Sequence, residues 1–174
     1  MRLRLPNNKI YAGIDLVIVL TAVILCLIVV KKYFPGAKPT LLSAPAVGAK
    51  ILLPGVDWSS GRETMLLVLR ADCHFCTESA PFYRRLVDKV SGHPNFQLIA
   101  VMPQTPADAR KYLDSVNVSI SDVKQSTLPG VSISGTPTLL LLDDRGVVTA
   151  AWAGLLSRDQ ENRILSRIDS LVQQ

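Results

Sequence analysis

Cysteine and histidine are scarce in this chain of 174 residues, which contains three cysteines and two histidines. Three cysteines are too few for a small fold that is held together by several disulfides. A structural zinc site needs four ligands, and no second Cys-x-x-Cys or His-x-x-x-His spacing supplies the missing half of one. We therefore predict no metal site.

Residues 39–174 carry no net charge. The formal net charge of +5 belongs to residues 1–38, whereas residues 39–174 hold 13 basic and 13 acidic side chains. A neutral domain presents no electrostatic surface to a phosphate backbone. The sequence therefore predicts no nucleic-acid partner.

Charge is also nearly absent from residues 10–30, where Asp15 is the only charged side chain at neutral pH. About 20 apolar residues span a bilayer, so this segment has the length of a membrane helix. The basic pair Lys31-Lys32 follows it, where a cleavable signal peptide would carry small residues. We predict an uncleaved transmembrane anchor over 10–30, in contact with the lipid bilayer and preceded by a basic tail over 1–9. Lysines and arginines flank both ends almost equally and leave its orientation open.

Proline and glycine interrupt residues 31–48, which we interpret as a linker, and residues 49–174 carry the pattern of one α/β domain. The order is strand, helix, strand, helix, two strands joined by a hairpin, and a final helix. The predicted strands cover Met65–Arg70, Phe96–Val101, Thr138–Leu142 and Val147–Trp152. The predicted helices cover residues 75–90, kinked at Pro81, Thr105–Val116, and a C-terminal helix that begins at the capping box of Ser157 and Gln160.

Two cysteines separated by two residues, Cys73 and Cys76, directly follow the first of these strands. This places Cys73 at the start of a helix, where backbone N–H groups and the helix dipole favour a thiolate. The arrangement suits thiol–disulfide exchange, in which one thiolate attacks a disulfide and the second thiol releases the product. A purely structural disulfide is the alternative, although so small a loop adds little stability when it closes.

Two further segments agree with this motif: Gly135-Thr136-Pro137-Thr138 just before an apolar strand, and the acidic turn Asp143–Gly146 after it. With Pro81 five residues after the second cysteine, the chain from Gly48 to Leu171 resembles the thioredoxin superfamily. The apolar N-terminal segment makes it most similar to the membrane-anchored TlpA/ResA type of thiol–disulfide oxidoreductase. The resemblance implies a thioredoxin-like fold, a central mixed sheet with helices on both faces, preceded by one N-terminal transmembrane helix.

The resemblance also implies roles for individual residues. Cys73 would be the attacking nucleophile and Cys76 the resolving thiol, with the redox-active Cys73–Cys76 disulfide in place of any other cofactor. Four residues around the pair would bind substrate: His74, Phe75, Thr136 and Pro137. The implied partners are a cysteine-containing protein substrate, such as an apocytochrome in cytochrome c biogenesis, and a membrane electron donor or acceptor.

The resemblance places the protein in the inner (cytoplasmic) membrane as a single-pass protein, with its domain on the extracytoplasmic, periplasmic side, where disulfides persist. There it would act as a reductant. A membrane-tethered binding or chaperone module of the same fold, without redox turnover, is the alternative function.

Two positions depart from the family pattern. Asp72 stands where a tryptophan usually precedes the first cysteine, and Leu67 replaces a buried Asp or Asn that would accept a proton from the second thiol. The Asp72 charge disfavours a Cys73 thiolate, while a protonated His74 and the helix start favour it. Because these effects oppose each other, the residues alone leave the redox potential open.

Overall fold

The computed structural model describes residues 18–25, 47–58 and 61–173. The chain divides into two compact units, Met1–Thr40 and Leu41–Gln174. In the first unit residues 18–25 are helical, and no helix within the described ranges is both long and apolar enough to cross a bilayer. The basic tail predicted over 1–9, and most of the anchor over 10–30 and of the linker over 31–48, lie outside the described residues.

A five-stranded mixed sheet forms the centre of the second unit, with the strand order β3-β2-β1-β4-β5. Strands β1, β2 and β3 are parallel, whereas β4 pairs antiparallel with both β1 and β5. The strands are β1 (Glu63–Val68), β2 (Phe96–Met102), β3 (Asp122–Gln125), β4 (Thr138–Leu142) and β5 (Val148–Ala153). The four strands predicted from the sequence are confirmed, with bounds that move by no more than two residues.

Four helices accompany the sheet: α1 (His74–Glu78), α2 (Ala80–Val90), α3 (Pro106–Ser115) and α4 (Arg158–Val172). The predicted capping box is confirmed, because the side chains of Ser157 and Gln160 each accept from the other's backbone N–H. The prediction of one kinked helix over residues 75–90 is wrong. Two helices meet at Ser79, and Pro81 lies in the first turn of the second one. A proline costs little there, because the N–H groups of a first turn have no partner within the helix.

All four helices bury side chains in one hydrophobic cluster on a single face of the sheet. Along β1, Met65 and Leu67 point into this cluster, whereas Leu66 and Val68 point into a second cluster on the opposite face. Among the described residues, that second face is covered by irregular segments, whose buried side chains are those of Ile51, Leu53 and Leu128. The prediction of helices on both faces is therefore wrong for the described part of the chain.

The direction of the strand connections explains this one-sided arrangement. The chain passes from β1 to β2 and then to β3, which moves it twice in the same direction across the sheet. Parallel connections are nearly always right-handed, so two steps in one direction place both connecting segments on the same face. Helices α2 and α3 lie in those two connections and therefore share a face.

The turn between β4 and β5 depends on a glycine that contacts an indole ring. Gly146 is buried and has a φ of +77°, and a Cβ added to it would lie 2.8 Å from the ring of Trp58. Gly92, in the loop after α2, has a similar φ of +83°, but a Cβ there would meet no atom within 4 Å. The two glycines thus share a backbone constraint and differ in the packing around them.

We expect Gly146→Ala to lower the free energy of unfolding by about 3 kcal/mol, from the strained backbone and the displaced Trp58 ring together. Gly92→Ala is the matched control and should cost only about 1 kcal/mol, because it carries the backbone strain alone. Urea unfolding followed by circular dichroism measures both values. Equal losses in the two variants would show that the contact with Trp58 does not constrain the turn.

Candidate functional site

Cys73 caps the short helix α1 at the end of the turn that follows β1. Its backbone is extended, with φ −97° and ψ 112°, and its N–H donates to the carbonyl oxygen of Arg70 at 3.2 Å. The Sγ atom accepts from the backbone N–H of Cys76 at 3.2 Å. Cys73 as a residue is half-buried, whereas Cys76 is buried, so Cys73 is the more accessible of the two. The position predicted for Cys73, at the start of a helix, is confirmed.

Cys76 lies in the same helix and is fully buried in the helix-side cluster. Burial, and second the hydrogen bond with Cys73, raise the pKa of the Cys76 thiol to about 12. A desolvated thiolate loses the stabilisation that water gives it, so the protonated form is favoured. At neutral pH the pair therefore presents one accessible sulfur, on Cys73, and one protonated sulfur behind it.

The loop before β4 lies directly against the first cysteine. Cys73 Sγ donates to the carbonyl oxygen of Thr136 at 3.2 Å, although 63 positions separate the two residues. The Thr136–Pro137 peptide bond is cis. The loop is held at both ends, because Gly154 N–H donates to the oxygen of Pro137 at 2.7 Å and the Thr138 hydroxyl donates to the oxygen of Gly135 at 2.7 Å. The sheet explains the proximity, since β4 pairs with β1 and its first residue lies beside Val68 at the end of that strand.

The two residues between the cysteines lie on the surface. The His74 side chain is 86% exposed, and its Nε2 lies 3.7 Å from a carboxylate oxygen of Glu78 one helical turn away. Phe75 is 52% exposed and lies with its ring centroid 5.8 Å from that of His74. All six site residues predicted from the sequence are thus within one region of the molecule, and their substrate-binding and catalytic roles stay predictions.

Arg70 is a residue that the sequence analysis missed. Its guanidinium donates two hydrogen bonds to the Asp72 carboxylate, at 2.7 and 3.1 Å. The hydrogen bonds from Arg70 lower the pKa of Asp72, which stays ionised beside a positive partner. The Asp72 carboxylate therefore precedes Cys73 as one half of an ion pair and not as an isolated negative charge. The spacing of two residues did not indicate the Arg70–Asp72 ion pair, because ion pairs on a helix are three or four residues apart.

Among the described residues, no carboxylate acts on the Cys76 pKa in place of the acid that the sequence lacks at Leu67. This leucine is fully buried on the helix side of β1, and among the described residues the side chains that act on the Cys76 pKa are those of Cys73 and Thr136. Two phenols lie in the same cluster: Tyr83, whose buried hydroxyl has no hydrogen-bond partner, and Tyr112, whose hydroxyl lies 3.4 Å from that of Thr77.

Neither phenol can accept the proton of Cys76 in place of the missing carboxylate. Burial raises the pKa of both Tyr83 and Tyr112, so both hydroxyls remain protonated at neutral pH. The proton of Cys76 therefore has no buried ionised acceptor among the described residues. Because α1 ends and α2 begins at Ser79, between Cys76 and Tyr83, no helical spacing in the sequence indicated that the two residues share this cluster.

Solved structures of thiol–disulfide exchange proteins resemble this chain. One, described as the thiol:disulfide interchange protein DsbE from Chlorobium tepidum, is 26% identical, covers 73% of this chain and 99% of its own, and superposes with a TM-score of 0.52. Two others share the fold at lower identity. A thiol:disulfide interchange protein from Bacteroides sp. is 17% identical, with a TM-score of 0.53 and coverage of 78% of this chain and 93% of its own. A thiol-disulfide isomerase from Corynebacterium glutamicum is 16% identical, with a TM-score of 0.51 and coverage of 76% and 96%. No family model and no curated protein sequence matches the chain.

Proposed function

Because the chain belongs to the thioredoxin superfamily, we propose that it is a protein-disulfide oxidoreductase that exchanges disulfides through Cys73 and Cys76. The observation that carries this proposal is the arrangement of the two sulfurs. Cys73 is accessible at the start of a helix and contacts the Thr136 carbonyl oxygen, while Cys76 is buried behind it. The similarity to the Chlorobium tepidum interchange protein supports the same enzyme class.

The reaction proceeds in two exchanges. The Cys73 thiolate attacks one sulfur of a substrate disulfide, a Cys73–substrate disulfide forms, and the other substrate sulfur leaves as a thiolate that takes a proton from water. Cys76 then loses its proton and attacks Cys73 Sγ, which closes the Cys73–Cys76 disulfide and releases the second substrate thiol. Two electrons pass from the cysteine pair to the substrate, so a dithiol donor must reduce the pair before the next cycle.

The local geometry assists the first exchange. The backbone N–H of Cys76 points at Cys73 Sγ at 3.2 Å and meets the negative charge of the attacking or departing sulfur. The Arg70 guanidinium, paired with Asp72, prevents an uncompensated negative charge next to that sulfur. The second exchange is less favoured, because Cys76 is protonated and none of the residues that the structure describes acts on its pKa as an ionised acceptor.

The proposal also covers the class of substrate and the cellular location of the domain. A cysteine-containing protein fits an accessible sulfur flanked by exposed Phe75, and a protein disulfide is found outside the cytosol. The apolar run over residues 10–30 supports a membrane anchor, with the domain on the extracytoplasmic side of the inner membrane and a membrane protein as its electron donor. The protein then acts as a reductant, with an apocytochrome as one candidate substrate.

The equilibrium reduction potential of the cysteine pair tests the exchange and its direction together. The full-length chain carrying Cys26→Ser, so that only one pair titrates, is equilibrated in dithiothreitol buffers and its free thiols are alkylated. We expect a potential at or below about −270 mV, as in reductants of this fold. A value near about −120 mV would make the protein an oxidant. A pair that never forms a disulfide, as in the control Cys76→Ser, would favour the tethered binding module instead.

A further inference from the structure

The phenol of Tyr83 is a buried polar group that the two exchanges described above do not use. Tyr83 is 1% exposed, and its hydroxyl has no hydrogen-bond partner within the described part of the chain. The nearby hydroxyl of Ser79 donates instead to the carbonyl oxygen of Phe75 at 2.8 Å. A buried hydroxyl without a partner loses its bonds to water and gains none in return, so such groups are rare and are found at reactive sites.

Tyr83 lies close to the two cysteines. Ser79 joins α1 to α2: its N–H donates to the carbonyl oxygen of Phe75 at 3.0 Å, and its carbonyl oxygen accepts from the N–H of Tyr83 at 3.2 Å. Cys76 and Tyr83 are both buried in the helix-side cluster, and Cys73 packs against it. Burial is the main cause that raises the pKa of Tyr83, and the Ser79 hydroxyl lowers it in part. Negative charge on either cysteine raises this pKa further, so the phenol is within electrostatic reach of both sulfurs.

The second exchange needs a hydrogen-bond donor in this cluster. Cys76 must become a thiolate in a buried site, where burial, and second the hydrogen bond with Cys73, raise its pKa to about 12. The pKa of Tyr83 is also raised, mainly by burial, so the phenol keeps its proton and remains a donor. A hydrogen bond to an ionised acceptor is stronger than one between neutral groups. A phenol that donates to the thiolate therefore replaces part of the hydration that burial removes.

We propose that the Tyr83 hydroxyl donates a hydrogen bond to the Cys76 sulfur as this sulfur becomes a thiolate, and thereby assists the second exchange. The inference rests on the proposed function, since it concerns the step that resolves the Cys73–substrate disulfide. Tyr83 keeps its proton throughout. The Cys76 proton passes to water, the Cys73–Cys76 bond forms, the Cys73–substrate bond breaks, and the departing thiolate takes a proton from water. The donated bond is absent from the dithiol and forms with the charge, as hydrogen bonds at reactive sites often tighten during the reaction.

Two substitutions separate the role of the hydroxyl from that of the ring. Tyr83→Phe removes the hydroxyl and keeps the buried ring. Tyr112→Phe is the matched control, because Tyr112 is the other phenol of the helix-side cluster and its hydroxyl already lies 3.4 Å from that of Thr77. Since the Tyr83 hydroxyl has no hydrogen bond to lose, Tyr83→Phe should not lower the midpoint of urea unfolding.

The two exchanges are measured separately in one reaction. The full-length chain carrying Cys26→Ser, alone or with either phenylalanine, is reduced and mixed rapidly with one equivalent of dithiobis(nitrobenzoate). Attack by Cys73 releases one thionitrobenzoate anion, and attack by Cys76 on the resulting mixed disulfide releases a second. The absorbance of this coloured anion gives both rates.

We expect Tyr83→Phe to slow the second release about fivefold at each pH from about 6 to about 9. Loss of the donor leaves about tenfold less Cys76 thiolate, and the more basic thiolate that remains attacks somewhat faster. The first release should be unchanged, and Tyr112→Phe should change neither rate. The reduction potential at neutral pH should be equal in all three proteins, because neither the dithiol nor the disulfide then carries a charge on Cys76.

The outcomes separate this inference from the proposed function. A second release that is as fast in Tyr83→Phe as in the parent protein would overturn the role of the hydroxyl, and so would an equal slowing in Tyr112→Phe. A lower unfolding midpoint or a changed reduction potential in Tyr83→Phe would overturn it too, because the hydroxyl would then act on the folded dithiol or disulfide. A parent protein that releases no thionitrobenzoate, or only the first anion, would instead overturn the proposed function.

Discussion

Cys73→Ser will abolish catalysed disulfide reduction, with a loss of at least about 10³-fold in the rate of insulin reduction that exceeds the rate with dithiothreitol alone. The accessible sulfur at the start of α1 is on Cys73, whereas Cys76 is fully buried and protonated at neutral pH. A serine hydroxyl has about the same size and keeps the backbone arrangement, but it does not form an exchangeable bond with sulfur. The turbidity of the released insulin chain measures the loss.

Cys76→Ser is the matched control, because it leaves the nucleophile and removes the resolving thiol. This variant should attack disulfides once and then remain attached, so that mixed disulfides with substrate proteins accumulate and disappear on reduction. Reductase activity in Cys73→Ser that equals the unsubstituted protein would contradict the assignment. Adducts on Cys73→Ser but not on Cys76→Ser would reverse the roles of the two cysteines.

The second exchange will accelerate about tenfold per pH unit from about pH 6 to about pH 9, which is about a thousandfold overall. Only the thiolate attacks, and burial, the main cause, holds the pKa of Cys76 near 12. A thiol with a raised pKa stays protonated at any pH well below that pKa. Each increase of one pH unit, as long as the pH is below about 12, therefore raises the thiolate fraction of Cys76 about tenfold. Rapid mixing with a preformed mixed disulfide on Cys73 measures the release of the substrate thiol.

An ordinary cysteine, with a pKa of about 8.5, would level off within this range. A plateau at or below about pH 8.5 would therefore show that Cys76 is activated in the mixed disulfide by a group outside the present contacts. The adduct formed by Cys76→Ser, followed over the same pH series, is the control for release by solvent thiols. It should show no release without added reductant.

The strands that the sequence predicted are those with a strong local pattern. Strand β4 is an unbroken apolar run before the turn Asp143–Gly146, and β1 is buried on both faces, so composition alone indicated both. Strand β3 gave no such signal, because its four residues are Asp, Val, Lys and Gln, and only Val123 is buried. It is a short edge strand, which is held in the sheet by its pairing with β2 and not by a buried row of side chains.

The position of the thiol pair was likewise visible in the sequence, whereas its electrostatics were not. A strand followed by Cys-x-x-Cys and a helix predicts a cysteine at a helix start, which the structure confirms for Cys73. The pairing of Arg70 with Asp72 depends on how the turn between them folds, and no periodic pattern describes that turn. The sequence therefore showed the Asp72 charge but not the cation that is paired with it.

The sequence by itself determined four of the five described strands, the place of the two cysteines and the family that they resemble, because these depend on neighbours within a few positions. Tertiary structure decided the rest. It placed all described helices on one face, since both connections run in the same direction across the sheet. It also brought Thr136 to the sulfur of Cys73. The contact between Cys73 and Thr136, which are 63 positions apart, follows from the pairing of β4 with β1, and no local pattern encodes that pairing.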